Sequence, residues 1–107
     1  MPKTSKSRNT TTKIPPVHPG EILQETLEDL SLSMNRLAQD IRVPANRISL
    51  IIAGQRSITG ETALRLARYF GTTPGYWINL QTHYDLATAR DQWQARIESE
   101  VRPRSAA

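Results

Sequence analysis

The stretch MNRLAQDIRVPANRISLIIAGQRSIT, Met34 to Thr59, decides how this chain folds. Leu37, Ala38 and Ile41 recur at helical spacing behind Ser33, a good N-cap, so Met34–Ile41 reads as a two-turn helix. Arg42-Val43-Pro44 then interrupts it. Proline disfavours α geometry in the residue before it and suits the first turn of a new helix, so a second short helix is expected over about Pro44–Ala53. Ile48, Ile51 and Ile52 form its buried side, and Gly54 can stop it in the left-handed conformation. Two helices joined so abruptly must cross steeply.

Such a corner can belong to any small helical bundle, or it can be a helix-turn-helix. Three features favour the second reading. The second helix is too short to stand without its neighbours. Its buried positions leave a polar outward face of Ala45, Asn46, Arg47 and Ser49, with Gln55 near the far end. These residues crowd the N-terminal turn, which is where a helix lying in the major groove reaches base edges. Asparagine can pair bidentately with adenine and arginine with guanine, while a small residue such as Ala45 can pack on a thymine methyl.

The flanking sequence supplies three more helices. HPGEILQETLEDL places Pro19 at a first helical position and Glu21 in the first turn, and Ile22, Leu23, Leu27 and Leu30 make its apolar stripe. His18 precedes or caps it. Thr59 caps GETALRLARYF, whose Ala63, Leu66, Ala67 and Phe70 face inward with Leu64 beside them, and Gly71 stops it. Thr73-Pro74 starts a fifth helix carrying Trp77, Leu80, Tyr84 and Ala87 on one side, and this helix can run to the Trp93–Ile97 region, before Pro103. No alternating apolar run or hairpin signal is present. The expected fold is all-α, five helices with short connections and an extended C-terminal helix.

A chain of 107 residues is one domain with one small core. The absence of cysteine excludes a disulfide scaffold and thiolate zinc sites. Lys3, Lys6, Arg8 and Lys13, with no acid among them, put the whole net charge of +4 into residues 1–16. That stretch is nearly devoid of apolar residues and is expected to be a disordered basic arm. Residues 17–100 are expected to form the helix-turn-helix domain and 101–107 a flexible tail. Within the domain, Glu21, Glu25, Glu28 and Asp29 make the first helix acidic, while Arg36, Arg42, Arg47 and Arg56 against Asp40 make residues 31–60 basic. A polyanion would meet that middle stretch, although scattered arginines are also an ordinary solvated surface.

No apolar run approaches the ~18 residues of a membrane span, and no apolar segment follows the basic N-terminus as in a secretory signal, so the cytoplasm is expected. His18 and His83 lie far apart with no acids at metal spacing, and no metal or cofactor is expected. The glycines at 54, 60, 71 and 75 sit at helix ends and make no phosphate loop. No spacing recommends a catalytic set, so an enzyme is not expected. Tyr69, Phe70, Tyr76 and Trp77 read as core. Trp93, on a polar stretch beyond it, is open to two readings, burial against a partner or burial within the chain.

The run LAQDIRVPANRISLIIAGQRSITGETALRLARYFGTTPGYWINLQ resembles the Xre, or lambda-repressor-like, helix-turn-helix domain. The HPGEIL opening, the RSIT–ETALRLARYF stretch and the YWINLQ ending resemble the HigA antitoxin family, also called virulence-associated protein I, over about residues 17–90. The resemblance implies a small homodimeric repressor of double-stranded DNA that binds a palindromic operator in its own promoter. It also implies a HigB-like toxin partner, an mRNA-cleaving nuclease of the RelE type. A stand-alone repressor with no toxin is the alternative. Carried over by position, Ala45, Asn46, Arg47 and Ser49 fall on the base-reading face with Leu50 at its edge. Ser33, Asn35 and Arg36, and then Arg56 and Ser57, match phosphate-contacting regions. Two departures stand out: Arg42-Val43-Pro44 lacks the glycine common in this turn, and Leu50 is apolar where a polar reader often sits.

Overall fold

A computed structural model describes residues 15–105. The expected basic arm therefore lies outside the described residues except for Pro15 and Pro16, and so do the last two residues of the tail. Five helices follow in order: α1 (Pro19–Asp29), α2 (Met34–Ile41), α3 (Ala45–Ile52), α4 (Gly60–Phe70) and α5 (Pro74–Glu100). There is no strand among the described residues. The expected all-α, five-helix architecture is the one found.

The helix starts follow the capping chemistry of the sequence. Ser33, Thr59 and Thr73 each cap a helix with a side-chain oxygen that accepts a first-turn N–H. His18 caps α1 in a reciprocal pair: its ring accepts from Gly20, and Glu21 accepts from the His18 N–H. Pro44 is the N-cap of α3 and not its first helical residue, and it offers no side-chain cap.

Each helix gives one face to a single core. Leu23, Leu27, Leu37, Ile41, Ile48, Ile51, Ile58, Leu66 and Trp77 are buried, together with Ala38, Ala63 and Ala67. Leu30 departs from expectation. It sits at the C-cap of α1, where the chain turns through Ser31 at φ +52, and is 57% exposed. The turn delivers Leu32 to the core in its place. Leu64 is also exposed. Of the four aromatics read as core, Trp77 is buried and Phe70 half-buried, while Tyr69 and Tyr76 lie edge-on to them with one side in solvent.

Two details hold the helix-turn-helix at its angle. Arg42 adopts φ +64, so an arginine occupies the left-handed position that glycine suits best, and the N–H of Val43 turns back to the Ala38 carbonyl at 3.0 Å. Gly20 meets the backbone of α3 directly: a Cβ there would lie 1.9 Å from the Ile51 carbonyl oxygen. Only glycine lets α1 and α3 approach this closely.

α5 has 27 residues and is therefore about 40 Å long. Its first half packs through Trp77 and Gln81, and its second half projects beyond the core. None of the described helices is long and apolar enough to cross a membrane.

Candidate nucleic-acid interface

The N-terminal turn of α3 begins immediately after Pro44. No side chain caps its amides, so the first turn directs unpaired N–H groups and the positive end of the helix dipole outward. Ala45 and Asn46 are exposed on this turn. Ser49 is exposed one turn on, with its hydroxyl donating to the Asn46 carbonyl at 3.2 Å. Leu50 is half-buried at the edge of this surface.

Arg47 behaves differently from its neighbours. The sequence suggests a solvent-facing arginine, but its side chain is only 18% exposed. Nη1 donates to Glu61 Oε1 on α4 at 3.3 Å, and Nε is buried without a partner. The cause is geometric. Arg47 lies on the α3 flank nearest the start of α4, and Thr59 and Gly60 bring Glu61 to that edge.

Ser33, Asn35 and Arg36 open α2 on exposed backbone. Ser33 Oγ accepts the Arg36 N–H at 3.0 Å, leaving the preceding first-turn amides without an intrahelical acceptor. The Arg36 guanidinium lies over Asp40, one helical turn on, at 3.1 Å. Asp40 also accepts the Tyr69 hydroxyl at 2.5 Å. That hydrogen bond, with Arg36, holds the Asp40 carboxyl below its ordinary pKa, and the same bond raises Tyr69. Arg56 and Ser57 are exposed in the loop between α3 and α4. Ile58 anchors that loop in the core, and its N–H donates to the buried Gln81 side chain of α5.

The α2 N-terminus, the α3 N-terminal turn and the 53–59 loop are exposed parts of one helix-turn-helix unit. The supporting residues were not anticipated from sequence. Gln81, Glu61, Arg65 and Asp40 are polar residues on helices whose local pattern marks only an outward face, and Tyr69 reads as core and not as a partner for Asp40. The contacts that give them roles reach across 14 to 29 residues. Among the described residues no group of three or more His, Cys, Asp or Glu is placed to hold a metal.

Comparison with known proteins agrees with this geometry. The family model described as "Helix-turn-helix" matches residues 23–77. The virulence-associated protein I of Dichelobacter nodosus is 46% identical over 84 residues, which cover 78% of each chain. A solved addiction module antidote protein of the HigA family from Coxiella burnetii superposes with a TM-score of 0.83 at 50% identity, covering 85% of this chain and all of that one. The Pseudomonas aeruginosa antitoxin HigA, solved with the higBA promoter, superposes with a TM-score of 0.80 at 43% identity, covering 82% of this chain and 97% of that one.

Proposed function

Because this chain belongs to the HigA and virulence-associated protein I family of helix-turn-helix DNA-binding regulators, we propose that it is a homodimeric antitoxin that represses its own operon and neutralises a partner toxin. The supporting observation is the N-terminal turn of α3, whose exposed, uncapped amides stand beside Asn46, Ala45 and Ser49. In this reading Ala45, Asn46, Arg47, Ser49 and Leu50 meet base edges in the major groove. Ser33, Asn35, Arg36, Arg56 and Ser57 hold phosphates on either side.

One copy reads too few base pairs for useful specificity, so two recognition helices about 34 Å apart would read a palindrome. The distal half of α5 supports the dimer. Leu86, Trp93 and Ile97 share a face there, and all three are exposed, Trp93 by 45%. That face lies on the opposite side of the helix from the buried Trp77 and Gln81. The toxin would be a HigB-like mRNA-cleaving nuclease of the RelE type, and both proteins would work in the cytoplasm.

The test is co-expression with the short adjacent reading frame, followed by co-purification and footprinting on the upstream promoter. The expected result is a stable complex with the neighbouring product, relief of its toxicity and paired half-site protection. Promoter protection with no binding to the neighbour would make the protein a stand-alone repressor. A single unpaired half-site would remove the dimer.

A further inference from the structure

We propose that Glu61, on α4 and outside the α2–α3 pair, is a positioning residue that sets the aim of Arg47 and so trades non-specific DNA affinity for discrimination. The inference rests on the reading of Arg47 as a base contact.

Glu61 is engaged through both carboxylate oxygens. Oε1 accepts from Arg47 Nη1 at 3.3 Å, and Oε2 accepts from Arg65 Nη2 at 3.0 Å and Nε at 3.1 Å. The Arg65 guanidinium then reaches a third element, with Nη1 donating to the Ile41 carbonyl at 2.9 Å. Ile41 is the last residue of α2, and Arg47 lies in the first turn of α3. The three side chains therefore tie both ends of the α2–α3 turn to α4. Glu61 itself sits in the first turn of α4, where the helix dipole favours a carboxylate.

Two physical effects follow. An untethered arginine samples many rotamers and must be ordered when it binds, whereas a guanidinium held on one edge presents its remaining donors in a fixed plane. The carboxylate also offsets one positive charge beside the groove-facing turn. That weakens attraction to any phosphate backbone, which carries no sequence information. Glu61 thus subtracts from binding everywhere and adds to binding only where the base pair fits the held fork.

The experiment measures four variants of the full-length chain (Glu61→Gln, Glu61→Asp, Arg47→Ala and the Arg47→Ala/Glu61→Gln double variant) on operator, on operator substituted at the base pair that depends on Arg47, and on random DNA, with thermal melting alongside. Glu61→Gln should bind random DNA more tightly by about twofold and lose about tenfold in discrimination at that base pair. Glu61→Asp keeps the charge but shortens the reach. It should lose discrimination while leaving random-DNA affinity unchanged. In an Arg47→Ala background, Glu61→Gln should alter discrimination little, because there is no longer a fork to aim.

If Glu61→Gln weakens operator and random DNA by one common factor while melting falls, the carboxylate is only a brace and the proposal is overturned. It is overturned equally if Arg47→Ala abolishes discrimination but both Glu61 variants retain it. If Arg47→Ala itself leaves discrimination intact, the reading of Arg47 has failed, and the aiming role falls with it.

Discussion

The side-chain carbonyl of Gln81 accepts the backbone N–H of Ile58 at 2.7 Å, in a buried contact that spans 23 residues. The other end of the same amide donates to Asp85 at 2.9 Å, which fixes its orientation. Ile58 is fully buried, so this bond and the Ile58 side chain together pin the loop that carries Arg56 and Ser57.

Replacing Gln81 with Leu should leave the Ile58 N–H buried and unsatisfied, at a cost of about 1–3 kcal/mol. Chemical denaturation gives the total. Hydrogen exchange at the Ile58 amide should rise more than at amides in α2, because the loop loses its anchor while α2 keeps its caps.

Gly20→Ala should be far costlier than its size suggests. Every atom that the new Cβ would meet within 3 Å belongs to the backbone of Ile51 or Ile52, so no side chain can swing away. Separating α1 from α3 should cost about 3 kcal/mol or more in a urea titration. Ala at the exposed Gly60, where a Cβ meets nothing, is the control.

Arg42→Gly should stabilise the fold. The left-handed φ of Arg42 strains an L-residue, and glycine removes that strain at some cost in unfolded-chain entropy. The net gain should be about 0.5 kcal/mol, read as a small rise in melting temperature. No rise would mean that the Arg42 side chain contributes a compensating interaction.

Stability should decline as the pH falls below about 6.5, through His18. Burial lowers its pKa, outweighing Glu21 and Asp85, which raise it. The folded state therefore keeps His18 neutral while the unfolded chain takes up a proton near its ordinary value. That proton cannot sit on Nδ1 without displacing the Gly20 N–H, which Nδ1 accepts at 2.9 Å. His18→Asn replaces the capping nitrogen with a non-titrating amide oxygen and should flatten this part of the pH–stability profile.

Asn46→Ala should cost about 1–3 kcal/mol per half-site on the operator, with little effect on random DNA. Arg56→Ala should weaken both by similar factors and reduce the salt slope by about one unit per half-site. Both side chains are exposed, so circular dichroism should show the parent's helicity. A salt titration of each variant on operator and on scrambled DNA separates the two kinds of contact. Equal operator binding by Asn46→Ala and the parent would remove Asn46 from the reading surface.

The five helices, their order and nearly all their ends were legible in the chain alone. Those signals are local: a cap bonds to an amide two or three residues away, a stripe repeats every three or four, and a glycine or proline acts on its own dihedrals. The steep turn after Ile41 and the exposed positions of Ala45, Asn46 and Ser49 could be read for the same reason. The aim of Arg47 could not. Periodicity puts it on the outward side of α3, and only the arrival of α4 turns its guanidinium to Glu61. Gln81 and Arg65 carried no local sign of their partners, and Tyr69 read as core, until the fold brought Ile58, Ile41 and Asp40 to them. Gly20 carried no turn or cap signal, because its requirement is the backbone of another helix. Local bonding depends on neighbours along the chain, whereas these contacts depend on which helices meet and at what angle, and the closed core alone decides that.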